Sequence, residues 1–384
     1  MGLFGGKKEE HFDGMLGVDI GPSGIKIVEL VPEKGRLRLS TYGYAEYAAV
    51  SSEAPSLLDN PDKAVELIRA IIKDSGMKAT RAVAALPSAQ VFQTIVVIPQ
   101  VKTKEEVKAM IETQTAKLLP LPMAEMIVDS NVLDKELLPK EAGQEKKEKK
   151  EEKQEQKEAA APEAPKAEEK KHIRVLVTAA PRTLVQKYVD IFRKAKLDLV
   201  SLEAEVFALI RSLVGKDKSR IMVADMGFAQ ANISIIDKGV PYLARSMKGG
   251  GSAMTQALAT SLGMGYEDAE RMKRDLALSP GETEPPKVVK DALESVVHEL
   301  RYALELYAQQ EFHDNRTVDK IIVTGGSAHL PSLDPYLTKE LNVNVYIGDP
   351  WARIAAPAAL RPVLEEVGPR FSIAIGLAMR AAEE

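Results

Sequence analysis

A glycine hairpin pattern occurs twice in this chain, far apart, and it limits the fold more than any other feature. The first copy is Leu16-Gly17-Val18-Asp19-Ile20-Gly21-Pro22-Ser23-Gly24-Ile25-Lys26-Ile27-Val28-Glu29-Leu30. The second is Ile221-Met222-Val223-Ala224-Asp225-Met226-Gly227-Phe228-Ala229-Gln230-Ala231-Asn232-Ile233-Ser234-Ile235-Ile236. Each is an apolar strand, then Asp-x-Gly with small or polar residues, then a second apolar strand. Such a repeat implies two similar halves facing one cleft.

Glycine in a hairpin turn lets backbone N–H groups approach a ligand with no Cβ in the way. Clustered N–H groups form nests that bind anions. Asp19 and Asp225 end their strands at the mouths of the two turns. A bare carboxylate repels phosphate, so aspartates there make chemical sense through a bridging Mg²⁺ and its waters. Lys26, on the return strand of the first hairpin, could give a phosphate a point charge. Either hairpin alone also reads as ordinary Asp-x-Gly turn chemistry; the matched pair shifts the reading to phosphate. A third element, from Val318 to Pro331, reads as a buried strand, a Gly325-Gly326-Ser327 turn and a helix starting near Pro331. That turn admits a flat ligand, and a helix N-terminus favours negative charge. By itself it is also a plain strand-to-helix connection.

The 384 residues suffice for two domains, and 45% hydrophobic content supports real cores. A net charge of -4 and 5% aromatic residues argue against nucleic acid. With no cysteine there are no disulfides or thiolate metal sites, which suits a reducing cytosol. The histidines are scattered, and His298 and His313 share a predicted helix without metal-ligand spacing. No apolar run reaches membrane-span length. Residues 1–13 read as a flexible arm: Gly6 stands where a myristoylation signal needs Ser or Thr.

Along the chain, strands are predicted at Leu16–Ile20, Ile25–Leu30 and Leu37–Tyr44, a helix at 61–74, and a buried strand at Arg81–Leu86. Then the texture changes. Val91–Ile98 and Met126–Leu133 read as strands around a helix at Lys104–Leu118, opened by a Thr103/Glu106 capping box. Residues 135–172 collapse to Glu, Lys, Ala, Gln and Pro, too little apolar surface to fold, and read as a disordered charged loop. A strand at Ile173–Ala179 and helices at Arg182–Ala195 and Leu202–Arg211 follow. The second half gives a strand triplet over 220–248, a long helical region opened by Gly249-Gly250-Gly251, a Pro-rich break at 279–287, a helix from Val288 to about His313, and a short apolar helix at Phe371–Ala382. Strand triplets followed by helices, given twice, argue for a two-lobed α/β fold.

The order Asp-Gly hairpin, Asp-Gly hairpin, Gly-Gly turn resembles the actin-like ATPase superfamily, where the elements are the phosphate 1, phosphate 2 and adenosine motifs. Within it, Gly17-Val18-Asp19-Ile20-Gly21 with Ser23 and Lys26, and the block Lys248-Gly249-Gly250-Gly251-Ser252-Ala253-Met254-Thr255 followed by Tyr266-Glu267-Asp268-Ala269-Glu270-Arg271-Met272-Lys273, are similar to the PilM family of type IV pilus assembly proteins and more distantly to FtsA. The ending Phe371–Arg380 fits the same family. The resemblance implies ATP and Mg²⁺ as cofactors, with Glu270 and Lys273 near the ribose and base. It implies nucleotide contacts from Asp19, Gly21, Ser23, Lys26, Asp225, Gly227, Gln230, Asn232, Gly250, Gly251, Gly325, Gly326 and Ser327, and Mg²⁺ held by Asp19 and Asp225 through water. Glu270 and Lys273 also read as a solvated helical pair, and Glu205 as a surface helix residue.

Two departures weigh on hydrolysis more than on binding. Gln230, Ala231 and Asn232 stand where the second turn usually offers hydroxyls, and Pro22 removes one N–H from the first. At most weak ATPase activity is expected. The implied architecture is a first actin-like lobe at 14–87 and 197–217, a small FtsA-type α+β subdomain inserted at 88–196, and a second lobe at 218–384. The implied partners are the N-terminal peptide of a PilN-like membrane protein, other inner-membrane and motor components of the pilus, and further copies of the chain, with no nucleic acid. The implied location is cytoplasmic, peripheral at the inner membrane through those partners. The alternatives are an FtsA-like division protein, disfavoured by an ending directly after the last fold helix, and a sugar-kinase-like phosphotransferase, disfavoured by the lack of an evident catalytic Asp.

Overall fold

The computed structural model describes residues 14–47, 56–101, 103–138, 172–277, 285–309 and 317–382. The arm read at 1–13 lies outside them, as do nearly all of the insertion read at 135–172, most of the break read at 279–287, and residue 313. The chain divides into two compact units, Met1–Val91 with Thr183–Glu384, and Phe92–Arg182.

The larger unit begins with β1 (Met15–Gly21), β2 (Gly24–Glu33) and β3 (Arg36–Glu46), an antiparallel meander. Helix α1 (Pro61–Asp74) starts where the Asn60 side chain accepts from Lys63 N and Pro61 takes the first helical position. It buries Ala64, Val65, Ile68 and Ile71 and leads to β4 (Arg81–Leu86), which lies parallel to β1.

The smaller unit holds β5 (Phe92–Pro99), α2 (Lys104–Leu118), β6 (Met126–Val132) and β7 (His172–Pro181), with sheet order β5-β7-β6. The capping box of α2 forms as read, with Thr103 and Glu106 bonding each other's backbone. Val96, Ile98, Val107, Ile111, Ile173, Val175 and Val177 make its core. Asp134 accepts from Arg174 N at 2.8 Å and Arg174 Nε at 2.9 Å.

The larger unit resumes with α3 (Arg182–Ala195), β8 (Asp198–Ala204) and α4 (Glu205–Leu209). Here the structure corrects the reading of Leu202–Arg211 as one helix. Leu202, Glu203 and Ala204 finish β8, which pairs in parallel with β4 from Arg81↔Asp198 to Leu86↔Ala204. Pairing along the sheet edge overrides a helical composition that favours no state strongly. Helix α4 is short and runs into a π turn at Ile210–Val214.

Next come β9 (Arg220–Met226), β10 (Gln230–Asp237), β11 (Val240–Lys248), α5 (Gly251–Leu262), α6 (Tyr266–Ala277) and α7 (Lys287–Ala308). The region read as one long helical stretch is therefore two helices, broken at Gly263, whose φ of +64 ends α5 in the left-handed region. The unit closes with β12 (Lys320–Thr324), α8 (Leu333–Leu341), β13 (Val345–Ile347), β14 (Ile354–Ala355) and α9 (Arg361–Ala378). The final helix starts well before Phe371 despite Gly368 and Pro369, both poor helix residues. The carbonyl of Pro369 is held from outside, by Gly325 N at 3.0 Å and Thr324 Oγ1 at 3.1 Å.

The larger unit has two sheets, ordered β14-β3-β2-β1-β4-β8 and β11-β10-β9-β12-β13. They repeat one plan: three antiparallel strands, then a parallel strand beside the first, β4 beside β1 and β12 beside β9. One core draws on both halves, with Val83, Val206, Ile221, Val223, Ile322, Ile373 and Leu377 together. Backbones meet there without side chains between them. A Cβ on Gly17 would lie 1.9 Å from Ala374 O, and one on Gly376 would lie 1.9 Å from Ala208 O. Helix α9 is thereby seated between β1 and α4.

Candidate functional site

The repeat extends to the cross-strand partner of each aspartate. Asp19 faces Lys26 across β1 and β2, and Asp225 faces Asn232 across β9 and β10. Lys26 Nζ sits 3.0 Å from Asp19 Oδ2. Parallel packing of β12 on β9 sets Thr324 opposite Asp225, which delivers the Gly325-Gly326 turn to the same end of the sheet. Gly325 has φ +88, and a Cβ there would meet Asp225 Oδ1 at 2.5 Å. Only glycine allows this turn to press against the second aspartate.

These turns open on one cavity of about 1010 Å³. Asp19, Gly21, Ser23, Lys26, Asp225, Gly227, Gln230, Asn232, Gly251, Glu270, Lys273, Gly325, Gly326 and Ser327 all line it. Gly250 does not; it packs behind the second turn, where a Cβ would lie 2.3 Å from Gly227 O. The first amides of α5 are also engaged there, Gly251 N with Gly227 O and Ser252 N with Phe228 O, both at 2.8 Å. Gly250, Gly251 and Ser252 thus brace the second hairpin with their backbone.

Asp225 carries the electrostatic signature of the site. Burial pushes its carboxyl up to about 6, the nearby Asp19 charge adds to the rise, and Lys26 opposes it. Two acids thus share one lysine, an arrangement that favours an added cation. Among the described residues no three His, Cys, Asp or Glu side chains stand close enough to enclose a metal directly.

The wall built by α6 comes from helical spacing. Tyr266, Glu270 and Lys273 recur at the three- and four-residue intervals that share one helix face. Lys273 is buried and donates to Gly251 O at 2.9 Å, Thr255 Oγ1 at 2.8 Å and Glu270 Oε2 at 2.7 Å. Burial lowers the Lys273 pKa. Burial works against the Glu270 charge, but hydrogen bonds from Lys273 and Thr255 outweigh it and lower its pKa. Glu270 and Lys273 are therefore an anchored pair on the cavity wall. At the rim, Glu46 Oε1 at the end of β3 lies 3.0 Å from Arg370 on α9 and 3.5 Å from Arg274 on α6.

Sequence reasoning left Glu205 open between a surface helix residue and a part of the family's helix that closes the first lobe. The structure sets it on the cavity, directly after β8. Glu205 Oε2 accepts from Ser88 N at 3.0 Å, Ser88 Oγ at 2.5 Å and Asn232 Nδ2 at 3.1 Å. Burial pushes its pKa up to about 8, resisted by the Ser88 hydrogen bond and reinforced by Asp225 and Asp19. The alternation Ser201-Leu202-Glu203-Ala204 was the available signal. A residue that follows a parallel strand stands at the ligand crevice, and reading β8 as a strand places Glu205 there. Tyr266 and His329, which lie within two of the motif stretches but were given no role from sequence, also line the cavity.

Comparison with known proteins bears on this geometry. A curated cell division protein FtsA of Rhizobium meliloti (strain 1021) is 28% identical over 225 residues, 52% of this chain and 50% of that protein. The chain spans about half the length of that relative. Among solved structures, a PilM-PilN type IV pilus biogenesis complex superposes with TM-score 0.74 at 21% identity, covering 96% of this chain and 99% of the other. MreB5 of Spiroplasma citri bound to ADP superposes with TM-score 0.50 at 11% identity, covering 96% and 95%. These likenesses show the actin-like ATPase fold expected from the hairpin repeat. The family model of the type IV pilus assembly protein PilM matches residues 17–148 and 162–382. With that match over most of its length, the chain belongs to the PilM family of type IV pilus assembly proteins.

Proposed function

We propose that this chain is a nucleotide-binding scaffold of pilus assembly, holding ATP with Mg²⁺ in the cavity of its larger unit and gripping the N-terminal peptide of a PilN-like membrane protein. The convergence of both Asp-Gly hairpins and the Gly-Gly turn on one cavity supports this most. The acid pair with a single lysine fits a divalent cation. With no direct cage present among the described residues, Asp19 and Asp225 would hold Mg²⁺ through its waters. Bound there, the ion would neutralise charge on the phosphate oxygens. Lys26 and the turn backbones at Gly21, Ser23 and Gly227 would take the phosphates, with Gln230 beside them. Glu270 and Lys273 would meet the ribose side, and Gly325, Gly326 and Ser327 the nucleoside.

At most weak turnover is expected: Pro22 removes one amide from the first turn, and the Asn232 amide is already engaged by Glu205 and Ser246. Among the described residues no helix is long and apolar enough to cross a membrane. Attachment to the inner membrane from the cytoplasmic side would then run through the partner. An extended peptide in a groove is an established recognition mode, and nucleotide can bias it by favouring one conformation. The test is capture of the chain on an immobilised PilN-like N-terminal peptide, with and without Mg·ATP. Capture that changes with nucleotide supports the proposal; no capture in either condition removes the partner.

A further inference from the structure

The smaller unit holds a cavity of its own, a groove of about 470 Å³ between α2 and β6. Val107 and Ile111 of α2 give it a buried apolar floor, with Val128 of β6 beside them. Lys104 and Lys108, one helical turn apart, stand at one end, and Thr115 lies toward the other. From Lys104 to Thr115 the helix rises about 16 Å, the span of about five residues of extended chain.

The other wall is a sheet edge. Among the described residues β6 is the outer strand of its sheet and pairs with β7 alone. Such an edge offers a row of backbone N–H and C=O groups to an added strand. Asp129, Ser130 and Asn131 on it are exposed. Val128 and Ser130, two residues apart on one face of the strand, both line the groove. A chain laid along β6 would therefore set alternate side chains against the apolar floor. An edge strand beside a side-chain groove is how extended peptides are captured: main-chain bonds hold them and pockets for alternate residues select them.

The charge at the lysine end narrows the occupant. Lys108 is largely exposed and comes only to 4.0 Å from Glu112. An acidic residue there is complementary. The N-terminal peptide of a membrane protein opens on a positive α-amino group, and cytoplasmic segments beside a span are rich in Lys and Arg; the two lysines repel such a peptide. Residues 139–171, which follow Leu138 on the groove wall, have no apolar side chain larger than proline and lack what the floor calls for.

We propose that this groove takes an extended segment of a further partner protein, added as a fourth strand on β6, with an acidic residue at Lys104 and Lys108 and apolar residues at alternate positions over Val107, Ile111 and Val128. The test selects a phage-displayed library of random ten-residue peptides on the full chain. Enriched peptides should carry an acid followed by alternating apolar residues. Bound, they should protect the amides of β6 from hydrogen exchange. Lys108→Glu changes an exposed position and should weaken them about fivefold, the worth of one rim charge. Val128→Glu should abolish binding. Peptides without an acid, affinity that Lys108→Glu leaves unchanged, or protection that falls outside β6 would overturn the assignment. So would a library that yields no binder, or displacement by a PilN-like N-terminal peptide, which would make the groove that partner's seat.

Discussion

Asn232 Nδ2 donates to Glu205 Oε2 at 3.1 Å, joining the return strand of the second hairpin to the start of α4. Asn232 Oδ1 accepts from Ser246 Oγ at 2.7 Å, so both ends of the amide are engaged. The Asn that replaces the usual hydroxyl in this hairpin therefore reaches into the protein, and it holds the buried carboxyl of Glu205. Asn232→Leu would strand both partners and destabilise the chain by about 1–3 kcal/mol. Urea denaturation checks this; an unchanged midpoint would mean that water replaces the amide.

The ionic rim at Glu46 spans the cavity mouth from β3 to α6 and α9. Its members are partly exposed, so each contact is worth about 0–1 kcal/mol. Glu46→Ala should leave folding intact and speed the release of a fluorescent nucleotide up to about fivefold, an effect that salt shrinks in the wild type. Stopped-flow displacement measures it, and an unchanged release rate would mean the rim does not close on ligand.

Asp134 in the smaller unit has its pKa lowered by the hydrogen bond from Arg174, against the cost of burial. A depressed carboxylate contributes stability that is present above its unfolded pKa of about 4 and is lost as pH falls through the lower folded value. Protection from hydrogen exchange in β6 and β7, corrected for the intrinsic rate at each pH, should therefore fall on acidification below about pH 4 in the wild type. Asp134→Asn should lose about 2 kcal/mol of protection already at pH 7 and show little further loss with acid.

Gly376 meets Ala208 backbone to backbone, and a Cβ would lie 1.9 Å from its carbonyl oxygen. No rotamer relieves a clash with backbone. Gly376→Ala should cost about 3 kcal/mol and lower the melting temperature, whereas alanine at exposed Gly35 has open space but a φ of +76 and should cost about 1 kcal/mol. Thermal melts of the two variants should separate clearly.

Much of this arrangement was legible in the sequence because it is written in backbone chemistry. The hairpins must carry glycine to turn tightly, and alternating apolar residues fix their register, so Asp19, Lys26 and Asp225 could be located from spacing alone. Lys273 was legible only through its motif, because a Lys three residues after a Glu on a helix is usually a solvated pair; its burial under Gly251 and Thr255 is a tertiary fact. Glu205 was left undecided because β8 is a short edge strand whose pairing with β4 spans the inserted unit, and local composition does not encode so distant a partner.

The central claim is that the convergent turns hold Mg·ATP. Its most direct test is isothermal titration of Mg·ATP into the full chain, the same chain with EDTA, and Asp225→Asn. The expected result is saturable one-site binding in the wild type, weakened at least tenfold, about 1.4 kcal/mol, both without Mg²⁺ and in the variant. Absence of saturable binding, or binding indifferent to both EDTA and the variant, would contradict it.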